Sequence, residues 1–229
     1  MVVPPALAVA EKTGVDGKTL ITAITAGYEL GARVGESILP EAYFFWHSTG
    51  TVGTFAATAA ASKVLDLDAE QTLQAIGSAG TQAAGLWDFL CDGAMSKPLH
   101  TAKACYGGVL SAYLGESGYT ASSTILEGTK GFCNAMTTEP NLNLLTANLG
   151  EDFKIAHNSF KPYPCCKHSH AAVYGVYKIL SDKNLTYNDI EKIIIKVNGI
   201  TDSLINNEEP RTPYGCKFSI QYCVAALAV

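Results

Sequence analysis

With 229 residues, 16 Lys and Arg against 21 Asp and Glu, and a formal charge of −5, the chain has room for one large domain or two smaller ones and lacks the basic excess that nucleic acid demands. Hydrophobic residues make up 48% and charged residues 16%, with alanine and glycine prominent, which excludes disordered and fibrous classes and points to closely packed helices. No stretch reaches the ~18 strongly apolar residues of a membrane span, and seven scattered cysteines read as free thiols of a reduced, cytoplasmic protein.

The start, MVVPPALAVAEKTG, carries no positive n-region and is interrupted by Pro4 and Pro5, so it does not read as a signal peptide. Residues 5–13 form a first predicted helix, opened by Pro5 and closed by Gly14. Asp16 caps a second, in which Leu20, Ile24, Tyr28 and Gly31 recur at helical spacing until Pro40. HSTGTVGTFAATAAASKVLDLD is a loop feeding a third helix whose Ala and Thr residues permit close helix–helix approach. Asp68 and Gln71 have the spacing of a capping box and start a fourth through Leu73, Ile76 and Gly80. KPLHTAKACYGGVLSAYLGESGY is a fifth, stopping at Gly118.

After NLNLLTANLG the character changes, and a domain boundary is expected between residues 150 and 162. Val173, Val176, Tyr177 and Leu180 mark a helix face. In IEKIIIKVNG, Ile193, Ile195 and Val197 alternate with Lys192, Ile194 and Lys196, the pattern of a β-strand. FSIQYCVAALAV begins a last helix that reaches Val229 with neither a cap nor a charged last turn, as expected of a piece of a longer fold.

Four places can carry chemistry. His47 follows three aromatics and precedes a Ser/Thr/Gly loop at a helix start, where backbone N–H groups favour an anion; a packed histidine bonded to a carbonyl fits the same pattern. Lys97, held before Pro98 at a helix entrance, can grip a carboxylate or move a proton, or be a solvated surface lysine; His100 follows three residues later. YPCCKHSHAAV sets Cys165 and Cys166 beside His168 and His170, but adjacent cysteines chelate one ion poorly and no second pair sits at ligand spacing, His157 being the nearest further candidate; no metal site is expected. A redox pair is disfavoured because Cys-x-x-Cys is absent. Tyr222, on an apolar helix, is either core or a phenol presented to a pocket.

Taken in order, HSTGTVGTFAATAAASKVL, SKPLH, YPCCKHSHAA and FSIQYCVAA resemble the MmgE/PrpD family, which includes 2-methylcitrate dehydratase, cis-aconitate decarboxylase and an iminodisuccinate epimerase. The resemblance runs through essentially the whole chain. It implies a mainly α fold: a large helical domain over residues 1–155, then the start of a smaller α+β lid over 156–229. It also implies a lyase-type enzyme without metal or organic cofactor, most simply 2-methylcitrate dehydratase-like, with decarboxylation or epimerisation as alternatives. The small di- or tricarboxylate substrate would meet His47, Lys97, His170 and Tyr222 as catalytic residues. Lys97, His47, His100 and His168 would bind it, and the cysteines would be small packing residues. Members are commonly homodimers. Family members carry a further polar stretch before this chain's start and more lid after Val229, so a fragment is expected: the core of an enzyme, half of a split one, or an inactive piece that binds anions or a partner chain.

Overall fold

The computed structural model describes all residues, 1–229, and the chain forms two compact units: Met1–Trp87 with Ser96–Asn158, and Asp88–Met95 with Ser159–Val229. The fold is mainly α. In the first unit the long helices are α1 (Val3–Thr13), α2 (Gly17–Ile38), α3 (Ser48–Val64), α4 (Ala69–Gly80) and α5 (Ser96–Glu116), followed by the short α6 (Phe132–Met136). The predicted caps do their work: Asp16 accepts the Thr19 N–H at 2.8 Å, and Gly14 closes α1 in the left-handed conformation. Asp68 and Gln71 satisfy each other's backbone N–H groups at 2.8 and 3.1 Å.

Helix α3 is the centre of this unit, and nearly all of it is buried. A helix covered on several faces cannot be amphipathic, and small residues are what let its neighbours approach. On α2, a Cβ at Gly31 would lie 2.8 Å from the Ala56 Cβ. On α5, a Cβ at Gly108 would overlap the Ala57 Cβ and stand 2.7 Å from the Thr58 nitrogen. Thr54 and Thr58 donate back to the carbonyls of Gly50 and Thr54 at 3.1 and 2.8 Å, so their hydroxyls are satisfied without a partner helix. Larger side chains collect to one side, where the Phe55 and Phe132 rings meet edge to face at 4.8 Å beside Val34, Ile38 and Val52.

Gly108→Ala is therefore expected to destabilise the protein by about 1–3 kcal/mol or more, because the added methyl meets backbone of a buried helix that cannot move aside. Gly175→Ala, on a helix with nothing within 4 Å of its Cβ position, is expected to be neutral or stabilising. Chemical denaturation of the two variants checks the contrast.

The second unit contains α7 (His170–Lys183), α8 (Gly199–Ile205), the single turn α9 (Pro213–Cys216) and α10 (Ile220–Ala228). The predicted strand over 192–197 does not form one. Its alternation is real: Ile193, Ile195 and Val197 line a cavity of ≈ 240 Å³ with Ile205 of α8 and Ile220 of α10, while Ile194 is 73% exposed. A strand also needs a partner for its ladder, and no other segment supplies one. The chain's isolated β-bridge, Trp46 with Leu86, lies in the first unit, and residues 159–229 do not show the α+β character expected of the lid.

Candidate active site

In the first unit three of the predicted residues come together. His47 is the residue before α3; its carbonyl accepts the N–H groups of Gly50 and Thr51 at 2.8 and 3.3 Å, and its own N–H donates to the Gly85 carbonyl at 2.9 Å. The imidazole is 6% exposed and rests on Trp87, with ring centroids 4.6 Å apart. Its Nδ1 lies 3.1 Å from Nδ1 of His100 on α5. Lys97 is in the first turn of α5 rather than before it. Pro98 is tolerated there because the opening N–H groups of a helix have no intrahelical partner. The ammonium stands 5.3 Å from the centre of the Trp87 ring, within cation–π range.

The histidine pair has a definite chemistry. Two Nδ1 atoms can share a hydrogen bond only if one ring carries its proton there and the other does not. When both rings are neutral, one therefore has a bare Nε2 that can accept a proton, and the other has an Nε2–H that can donate one. Burial, and then the Lys97 charge, hold the His100 pKa below its ordinary 6.5, which favours the neutral form. Two glycines make the approach possible: Cβ atoms at Gly50 and Gly85 would stand 3.2 Å from the His100 Cβ and 3.3 Å from its ring.

In the second unit His170 opens α7 and is 6% exposed. Its Nε2 lies 3.3 Å from the Cys165 carbonyl, which can only accept, so that nitrogen carries the proton. Nδ1 is buried and has no hydrogen-bond partner. The Tyr163 ring meets the imidazole edge to face at 5.3 Å. Tyr222, half exposed on α10, lines a groove together with Tyr163 and Cys165. His168 is engaged elsewhere: Nδ1 is 2.9 Å from the Thr201 hydroxyl. Of the adjacent cysteines, Cys166 is buried and donates its N–H to the Lys217 carbonyl at 2.9 Å, while Cys165 is half buried beside the groove. No cluster of three or more His, Cys, Asp or Glu side chains has metal-binding geometry, and His157 is paired with Asp152 at 2.7 Å.

His168 resembles His100 in one respect: burial first, then the Lys161 charge, lower its pKa from 6.5. A group whose pKa is lower folded than unfolded stabilises the fold above the unfolded value, and that stability is lost as pH falls toward the folded one. The melting temperature is accordingly expected to decline as pH drops below about 6.5, and the decline to shrink in a His100→Asn, His168→Asn double variant. Thermal melts between about pH 7.5 and 5.5 measure it.

Residues 1–145 match the MmgE/PrpD N-terminal domain and residues 163–229 the MmgE/PrpD C-terminal domain. The chain belongs to the MmgE/PrpD family. Among relatives of this family, a cis-aconitate decarboxylase-like protein, oryM, of Aspergillus oryzae is 26% identical over 235 residues, covering 95% of this chain and 48% of its own length. A cis-aconitate decarboxylase of Aspergillus terreus is 27% identical over 253 residues, covering all of this chain and 51% of itself. The chain thus spans about half the length of the curated relatives it matches. No helix is long and apolar enough to cross a membrane.

Three residues of this family member escaped the sequence reading: Trp87, on which His47 rests and over which Lys97 stands, and the two glycines that admit His100. The first had a signal in GLWDFL, an aromatic following a glycine between two helices. The glycines had none, since His100, for which they make room, lies 50 residues beyond Gly50 and 15 beyond Gly85.

Proposed function

We propose that the chain carries a cofactor-independent lyase site for a small di- or tricarboxylate, with decarboxylation of a cis-aconitate-like substrate as the reaction. The His47–His100 pair beside Lys97 is the observation that carries this reading. Decarboxylation breaks a carbon–carboxylate bond, passes its electron pair into the remaining unsaturated acid, and requires a proton at carbon. The reaction therefore needs a cation on a carboxylate that stays, and a donor whose pKa is near neutral. Lys97 supplies the cation, and the histidine pair supplies the proton by relay: the Nε2–H of one ring goes to carbon while that ring takes the shared Nδ1 proton and the bare Nε2 of the other ring is protonated from solvent, so both rings end neutral. For His170, Tyr222 and His168, which belong to the second unit, a part in the same reaction rests on the family resemblance alone. The naming of both relatives for cis-aconitate decarboxylation supports this reaction over the others known for the family.

Dehydration of 2-methylcitrate is the second reading, because a neutral imidazole pair with one acceptor and one donor suits removal of a proton next to a carboxylate as well as its delivery. Incubating the protein with cis-aconitate and, separately, with 2-methylcitrate distinguishes them: release of CO2 from the first supports decarboxylation, and formation of an unsaturated tricarboxylate from the second supports dehydration. Stabilisation of the melt by either acid without turnover of either would favour a fragment that binds polycarboxylates and does no chemistry.

A further inference from the structure

The second unit contains a groove of ≈ 630 Å³, within the ordinary range for small-molecule sites. Its chemistry is divided. The floor is apolar: Val173 of α7, 3% exposed, faces the groove along with Ala226 and Leu227 of α10. These last two stand one turn beyond Tyr222 and Cys223, so two rows of α10 run along the groove. Cys223 belongs to this floor as well. Burial, with the neighbouring Cys165 sulfur, pushes its thiol up to about 12, so it behaves as a small hydrophobe.

The rim is cationic. Arg211 and Lys217 are the charged residues among those lining the groove, no carboxylate lines it, and neither cation has an ion-pair partner. Pro210 and Pro213 flank Arg211, and Thr212 between them caps α9 by accepting the Gly215 N–H at 2.9 Å and donates to the Gly93 carbonyl at 3.4 Å. The stretch that presents Arg211 is thus fixed at several points.

We propose that this groove binds an aliphatic carboxylate, the chain lying on Val173, Ala226 and Leu227 and the carboxylate held by Arg211 and Lys217. A compact polycarboxylate would use the cations and leave the floor wet. A hydrocarbon would cover the floor and leave two cations without a counter-charge. An acid with an aliphatic tail matches both halves. The inference stands on the groove of the second unit alone, and the lyase reading, which rests on His47, His100 and Lys97 of the first, can fail without it.

The test is calorimetric titration of the full chain with pentanoate, hexanoate and octanoate, against octanol and the compact tricarboxylate tricarballylate. Each methylene placed on the floor should tighten binding about threefold to fourfold, and octanol should bind more weakly than octanoate. Arg211→Gln and Lys217→Gln, on exposed side chains, should weaken octanoate several-fold without moving the melt. Ala226→Trp should abolish the chain-length dependence by filling the floor. A flat chain-length series, or binding of octanoate indifferent to both cation substitutions, would overturn the proposal. So would tricarballylate binding more tightly than octanoate with the same dependence on Arg211 and Lys217. Loss of CO2 release in His47→Asn with the alkanoate series intact would separate failure of the lyase site from failure of the groove.

Discussion

Turnover of the carboxylate substrate is expected to fall roughly 10²–10⁴-fold in His47→Asn, the usual worth of a positioned proton-transfer group, with the melting temperature little changed. Asparagine keeps a polar side chain beside His100 but cannot cycle a proton. The companion variant Lys97→Ala should behave differently, because Lys97 has two effects that separate experimentally. As the cation for a carboxylate, its loss should raise KM. As a charge near His100, its loss should move the acid limb of the pH–rate profile. The direction follows from the causes of the shift. Burial and Lys97 both lower the His100 pKa from 6.5, so removing Lys97 leaves burial alone and brings the limb up toward 6.5. A Lys97→Ala enzyme with higher KM and an unmoved limb would keep Lys97 as an anchor and remove His47 and His100 from the proton transfer. A limb that moved downward would contradict the electrostatics outright.

How much of this was legible in the sequence depends on range. The helices of the first unit, their caps at Asp16 and Asp68 and their stops at Gly14 and Gly118 are set by residues within about four positions of one another, and they were readable. The small residues of HSTGTVGTFAATAAASKV announced a helix meant for close approach, and α3 is one. His47 and Lys97 were singled out from their local setting, but the bond between His47 and His100 spans 53 positions and has no local signature. The strand failed for a related reason. Alternation at Ile193, Ile195 and Val197 reports only that these side chains share a face, which here lines a cavity with residues of α8 and α10; strand pairing is a property of two segments, and the pattern of one cannot supply the other.

The clearest omission was electrostatic, and it carries the second large expectation. Arg33 and Glu29, one turn apart on α2, have the spacing of an ordinary surface pair. They are 2% and 7% exposed, and Arg33 Nε donates to Glu29 Oε1 at 2.6 Å. Nη1 of Arg33 also reaches the carbonyls of Leu144 and Ala147 at 3.3 and 2.7 Å, and Glu29 Oε2 accepts the Lys154 N–H at 2.7 Å. The pair is thus the fastening between α2 and the irregular chain around residues 144–154, which has little regular structure of its own to hold it. Removing one partner leaves a buried charge uncompensated, so Arg33→Met should destabilise by about 3–5 kcal/mol, lowering the melting temperature by roughly 6–20 °C. Replacing both, Glu29→Met with Arg33→Met, removes the stranded charge and should lose less than the sum of the single variants, because two desolvation penalties vanish together. A double variant no better than that sum would mean that the carbonyl bonds to Leu144 and Ala147, rather than the ion pair, hold the segment to α2.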